Sequence, residues 1–541
     1  MRERPGPRPV VYGGLSVEKM LGSLPVVAQY CQRLDLAGIV DRACPVRDLA
    51  LLTHGQVIEA LVANRLTSPK PLLRVEEWAR GWAVEETLGI DPAALNDDRI
   101  GRALDAIAPE LDRIMGSVGA QAIAAFGIDV SRLHWDMTSI SLYGAYEHTE
   151  DEFAAPGFGH PKDRRPDLKQ VQAGLAVAGD GGIPVLHRAF DGGAGEVNQV
   201  VGAMTALKQM AGPRRFLLVG DSKLVSYGNI RDMIAARVEF IAPASKTYVP
   251  ARVLAELDLD AASEVDYVAE RDQDKPAEQR GRWRAVEDTM SLAGPRKKKD
   301  PVLPVRRVFV HSTARAHAAA TARAKKLDRA TGDLERLGRG LGSRHYPDEK
   351  AVTERVTAIG RTRRVTTYLR SEIGTDPATG KPILRWWFDQ AALDAEAATD
   401  GWYALLTNLP PDIDAAQVLI RYKGQEAVER RYSAFKGPLA VAPMFLKTNR
   451  RIAALITVIC LALLFFCLTE RAVRTALAPN TRMSGLVPGQ KAKPTGRLIF
   501  QALAGLRLIP ATNGQPALIP HPDPVQTRLL ELLAVDPTQP P

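Results

Sequence analysis

The segment Ile452–Leu468 is 17 residues of almost unbroken apolar character, with Thr457 its one polar residue, Arg450 and Arg451 before it and Arg471 after it. A run of this length sits at the lower edge of what crosses a bilayer, about 17–25 residues. A helix enclosed on all sides by a large core gives the same pattern. The 541 residues hold no second run of this kind and the flanking sequence reads as globular, so a central core helix is expected and a membrane anchor is the alternative. A chain of this length holds about two to four domains, enough to enclose such a helix.

Charge and cysteine usage narrow the class. Lys and Arg number 71 against 62 Asp and Glu, a formal charge of +9, which suits a polyanionic partner without demanding one. Cys31, Cys44, Cys460 and Cys467 form no C-x-x-C pair, so neither a zinc site nor a disulfide framework is indicated and reduced, buried thiols are expected. The opening Met1-Arg-Glu-Arg-Pro-Gly-Pro-Arg-Pro9 carries charge with no apolar stretch behind it, unlike a secretory signal, so a cytoplasmic location is expected.

Residues 14 to about 125 read as helical. Thr53-His-Gly-Gln56 is a capping box opening the run Val57–Leu66, Ser68-Pro-Lys-Pro71 breaks it, and Leu72–Trp82 starts another helix. Two short helices at a tight turn are either a DNA-reading pair or an ordinary packing unit. From Leu133 the period becomes two: His134, Asp136 and Thr138 share one face of a strand Leu133–Ile140, and Leu133, Trp135 and Met137 the other. Val171–Ala178 and Ile183–Phe190 flank the hairpin turn Gly179-Asp-Gly-Gly182. A helix Glu196–Met210, a strand Phe216–Val219, a helix Lys223–Ala235 and a strand Val238–Ala242 follow. A three-strand meander followed by alternating helix and strand is the order of an α/β, ribonuclease H-like core.

That rhythm breaks over residues 251–400, which are rich in charge and include β-like stretches at Arg361–Arg370 and Ile383–Phe388. Tyr403–Thr407 restores an apolar strand. The expected organisation is a helical N-terminal domain, 1–125, two parts of the core, 126–250 and 401–475, an inserted domain, 251–400, and a C-terminal tail, 476–541, with short helices near Arg497–Leu508 and Val525–Leu533.

Three acids stand in three settings: Asp136 within a strand, Asp221 just past a buried strand, and Glu429 on a late helix. Carboxylates so distributed are what a two-metal phosphoryl-transfer site requires, because hard divalent cations take oxygen ligands. Each has a plainer explanation. Asp221 could cap the helix after it, and Glu429 could be a solvated helix residue, whereas an unpaired carboxylate in a core strand such as Asp136 is costly. Glu429 belongs to a spaced set, Tyr422, Gln425, Glu429 and Lys436, whose offsets of 3, 7 and 14 fall on one helix face before the stop Gly437-Pro438.

This set resembles the signature helix of one branch of bacterial insertion-sequence DDE transposases, Tyr, two residues, Arg, three residues, Glu, six residues, Lys, with Gln425 in the Arg position. The segment Gly159-His-Pro-Lys-Asp-Arg-Arg-Pro-Asp-Leu-Lys-Gln170 is similar to the region after that family's first catalytic Asp. The matches span about residues 95–470. The resemblance implies a DDE triad of Asp136, Asp221 and Glu429 holding two Mg²⁺ ions, with Mn²⁺ as a substitute. It also implies cleavage of DNA at the ends of an insertion sequence and joining to target DNA. Double-stranded DNA, as terminal inverted repeats and target, would be the partner, and a homodimer would form the synaptic complex. Tyr422 and Lys436 correspond to DNA-strand contacts, and Gln425 to a third that lacks the charged bidentate grip of Arg. Of the basic clusters Lys162–Arg165, Arg296–Lys299, Arg361–Arg364 and Lys447–Arg451, the first is the best DNA-path candidate, through Lys162, Arg164 and Arg165. A metal-dependent nuclease of the same fold, an inactive DNA-binding derivative and a membrane-associated protein are the competing readings.

Overall fold

The computed structural model describes residues 18–539, apart from 48, 148, 160, 162, 163, 297, 298, 442, 443, 445, 479, 480 and 512–516. It is a mixed α/β protein in two compact units, Met1–Val219 with Gly424–Pro541, and Gly220–Lys423.

In the first unit the apolar segment forms the centre. It lies within a 28-residue helix, Asn449–Ala476, in which every residue from Ile452 to Glu470 is buried. The helix outruns the apolar run at both ends because polar side chains there find partners: Asn449 Nδ2 donates to the carbonyls of Glu150 and Phe153 at 2.8 and 2.9 Å. Helices of the N-terminal region surround it. One is α1 (His54–Thr67), started by the expected capping box, with Thr53 accepting from Gln56 N–H and the Gln56 side chain accepting from Thr53 N–H. Almost every residue of α1 from Val57 to Leu66 is buried, so it is a packing helix and not a groove reader. The short helix after it, Val75–Gly81, carries Glu76 and Glu77 in its first turn, which suits a DNA backbone poorly.

The sheet of this unit has β1 (Arg132–Leu142), β2 (Lys169–Ala178), β3 (Pro184–Phe190) and, after α2 (Glu196–Ala211), β4 (Leu217–Val219). The order is β3-β2-β1-β4, with the first three antiparallel and β4 parallel to β1. The β2–β3 turn places Gly181 and Gly182 at φ +74° and +62°, the left-handed pair a tight hairpin demands. Two later helices, α3 (Glu426–Lys436) and α4 (Asn449–Ala476), pack against each other, and α5 (Gly496–Leu503) lies against α4. The residues beyond 476, expected as a tail, pack within this unit: Arg507–Leu508 pairs antiparallel with Lys19–Met20, and Pro524–Leu533 packs on α4.

The second unit has an antiparallel sheet ordered Glu239–Pro243, Trp402–Thr407, Leu303–Ser312, Trp283–Leu292, Ser263–Val265. Strands expected in an inserted domain therefore share a sheet with strands expected in the core. Beside it, the helices Thr313–Arg339 and Glu349–Arg363 and the ribbon Leu369–Thr375 with Pro382–Phe388 close over a separate core that includes Leu334, Val352, Ile359 and Tyr368. The stretch Arg361–Arg370 is not a strand: it ends a helix at Arg363, turns at Arg364 with φ +56°, and becomes extended at Leu369. Its β-branched Val365-Thr-Thr run misleads because those residues form the turn. The helix after Asp221 starts at Tyr227, capped by Ser226, four residues later than expected.

Candidate active site

Asp136 lies midway along β1, which is flanked by β2 and β4. It pairs with Leu175 of β2, while the parallel partner β4 stops level with His134. The carboxyl therefore stands just past the end of the shorter neighbour, half-buried, its Oδ1 accepting the Met137 N–H at 2.8 Å.

Three side chains lay the helix carrying Glu429 on β1 and the neighbouring β2–β3 hairpin. Gln425 Oε1 is 3.1 Å from His134 Nδ1, which places the imidazole proton on Nδ1, and Gln425 Nε2 donates to the Trp135 carbonyl at 3.4 Å. The Tyr432 hydroxyl donates to the Asp136 carbonyl at 2.7 Å and is 3.0 Å from that of Ala173. Arg431 donates through Nε to the Gly182 carbonyl at 3.0 Å and through Nη2 to Glu470 at 3.1 Å. At Gly424 an added Cβ would sit 2.8 Å from the His134 ring, so the close approach requires glycine.

Electrostatics follow from burial. His134 is pushed down to about 4 by burial, with the Gln425 hydrogen bond acting the other way, so a neutral imidazole faces the helix. The Tyr432 hydroxyl is raised well above its ordinary value by burial and then by the Asp136 charge, which keeps it a donor. Burial works to raise the Glu470 carboxyl, and Arg431 with Arg474 reverses this and holds it below its ordinary value.

The four spaced residues do not share one continuous helix. Tyr422 ends the helix Ala415–Tyr422, a 3-10 turn spans Lys423–Gln425, and α3 begins at Glu426. Glu429 is therefore in the first turn of its helix and not in the last turns. Glu429 and Lys436 remain seven positions apart on one face, both exposed, and Gly437 ends the helix as expected. Gln425 is committed to β1 and does not present an amide to a strand of DNA. Asp136, Gln425, Glu429 and Lys436 belong to the first unit, Tyr422 and Asp221 to the second. Asp221 is half-buried and its Oδ1 accepts the Lys223 N–H at 2.8 Å, a local turn and not a helix cap. Among the described residues, no group of three or more His, Cys, Asp and Glu side chains is gathered so that it could hold a metal ion.

Most candidate DNA contacts are engaged locally. Lys162 lies outside the described residues; Arg164 is exposed, with φ +61°. Arg165 is held by Asp167 through two hydrogen bonds, 2.9 and 2.6 Å, which raise it above its ordinary value. Likewise Arg296 pairs with Asp300, Arg363 with Asp333, Arg450 with Glu150 and Arg451 with Asp105. All four cysteines are free and buried.

His134 was visible in sequence as a face-mate of Asp136. Gly424, Arg431 and Tyr432 carried no signal, since their roles arise from contacts between segments about 250–300 residues apart in the chain, and Glu470 is recruited by Arg431, itself placed by such a contact.

Residues 16–113 match a family model described as a domain of unknown function, DUF4277. No curated protein matches the chain. One similar solved structure is a cryo-EM structure of the piggyBac transposase synaptic complex with hairpin DNA, at 9% identity and a TM-score of 0.39, covering 88% of this chain and 79% of that one. At that score the likeness defines no common fold, and nothing about function follows from it.

Proposed function

We propose that the protein is a transposase of the DDE type, cutting DNA at the ends of an insertion sequence and joining them to a target, with Asp136, Asp221 and Glu429 as its catalytic acids and a ribonuclease H-like core as its frame. The observation that carries this reading is the packing of α3 on β1. Three side chains, Gln425, Tyr432 and Arg431, fix the helix bearing Glu429 and Lys436 to β1, which bears Asp136, and to the β2–β3 turn. The motif resemblance supplies the reaction, and the strand order β3-β2-β1-β4 agrees with the proposed core.

This chain's own residues supply a carboxylate fixed to a central strand, and a second carboxylate with a cation on one helix face. Lys436 offers a point charge for a phosphate, while the carboxylates suit the proton or cation chemistry of a phosphodiester under attack. The acids do not gather into a three-carboxylate ligand set among the described residues. The need for Mg²⁺ or Mn²⁺ is therefore a question for the assay and not a step of the mechanism.

The test is cleavage and strand transfer on DNA carrying the element's terminal repeats, with and without Mg²⁺, in the wild type and in Asp136→Ala, Asp221→Ala and Glu429→Ala. All three variants should lose cleavage while retaining end binding. Wild-type cleavage in any one removes that residue from the triad. Cleavage without joining would favour a nuclease of the same frame, and binding that is flat with salt would exclude a phosphate-directed interface.

A further inference from the structure

Arg65, near the C-terminal end of α1, is 7% exposed and has no carboxylate partner among the described residues. Its Nη atoms reach only main-chain oxygens, Ala440 at 3.5 Å and Lys70 at 3.3 Å, and its Nε is buried with no hydrogen-bond partner. Burial alone pulls the group down to about 10, and a guanidinium still holds its proton there. A buried charge without a counter-charge is costly, and proteins keep one where a partner arrives from outside.

There is room for that partner. Arg65 lines a cavity of about 430 Å³ bounded also by Thr67, Gly437–Leu439, Phe466, Arg497, Phe500 and Gln501. Among the described residues no acidic side chain lines it, and the exposed Arg497 adds a second cation. Phe466 and Phe500 stack at 5.5 Å with a 7° interplanar angle, so one wall carries two parallel rings, Phe466 buried and Phe500 half-buried. Two guanidiniums, no carboxylate and a planar apolar wall match an anion attached to a ring.

We propose that this cavity binds a phosphate group carried by a nucleotide or a nucleic-acid strand, with Arg65 as the buried counter-charge, Arg497 as the cation at the rim and Phe500 as the surface beside the nucleoside. The site is independent of the catalytic reading, since an anion pocket remains whether or not any strand is cut.

The experiment titrates the full-length chain with inorganic phosphate, deoxyadenosine monophosphate and a short single-stranded oligodeoxynucleotide, by calorimetry and by phosphorus NMR line width. Saturable binding of phosphate and the mononucleotide is expected, weakened by at least about tenfold in Arg65→Met, the loss of a charge-assisted contact. Arg497→Ala, at an exposed position, guards against a folding defect and should weaken binding severalfold. An oligonucleotide that displaces the mononucleotide identifies a strand as the source; one that does not identifies a free nucleotide. Absence of saturable binding, or binding unchanged in both variants, overturns the proposal.

Discussion

The Tyr432 hydroxyl bridges the main-chain carbonyls of Asp136 and Ala173, at 2.7 and 3.0 Å, so one buried ring ties the helix of Glu429 to two adjacent strands. Tyr432→Phe removes the donor to the Asp136 carbonyl and the hydroxyl beside that of Ala173, and is expected to cost roughly 1–3 kcal/mol of stability. Chemical denaturation reads the cost, and DNA cleavage at a temperature where the variant is fully folded should still fall. A variant as active as the wild type would show that this bridge supports the fold only.

Lys436→Ala separates a helix that works on DNA from a solvated one. A cation on a phosphate at a partly desolvated site contributes roughly 1.5–3 kcal/mol, so cleavage should drop by more than about tenfold with an unchanged melting temperature. A surface charge contributes about 0.5 kcal/mol or less. Cleavage within about twofold of wild type would therefore remove Lys436 from the site.

The buried pair Arg431–Glu470 joins α3 to α4 at 3.1 Å. Arg431→Met leaves Glu470 with Arg474 and the Gly496 N–H, and should destabilise by less than the about 3–5 kcal/mol of a fully orphaned buried charge. Because the folded-state value of Glu470 is depressed, its contribution is complete above the ordinary carboxylate value of 4.5 and is lost as pH falls through the lower folded value. Denaturation midpoints taken on the acid side should therefore depend less on pH in Glu470→Gln than in the wild type.

His134 and His187 are both pushed down to about 4 by burial, so both are neutral in the folded chain. The unfolded chain binds their protons first. Their contribution is therefore complete above the ordinary value of 6.5 and is lost as pH falls from there towards 4, by roughly 1.4 kcal/mol per pH unit for each imidazole. Urea titrations at about pH 7 and about pH 5 should show this loss, and His187→Asn should remove a share of it. Equal stability at both pH values would mean that the two rings stay solvated.

What could be read from sequence was local. Thr53 and Gln56 announced a helix start, Gly181 and Gly182 a hairpin, and Gly437 a helix end, because capping and positive φ depend on neighbouring residues alone. The apolar run announced a core helix, and its complete burial agrees. The break at Lys423–Gln425 was not legible, since Gln425 leaves the regular helix to reach His134, a residue 291 positions away. Nor was the shared sheet of the second unit, where Trp283–Leu292 is exposed along much of its length and so lacks the apolar signature of a core strand. Pairing across segments, not local propensity, decides such elements.

The antiparallel pairing of Lys19–Met20 with Arg507–Leu508 has a consequence for how the chain is made. The N-terminal helices are made before Gly220–Lys423, yet the helix they pack against, Asn449–Ala476, and the strand Arg507–Leu508 that pairs with Lys19–Met20 are made after it. The residues Gly220–Lys423, continuous in the chain, can close while the earlier segment still exposes the apolar faces meant for α4. While Gly220–Lys423 is being made the first unit is thus an unfinished shell, dependent on whatever shields its apolar surface until Gly424 and the residues after it arrive.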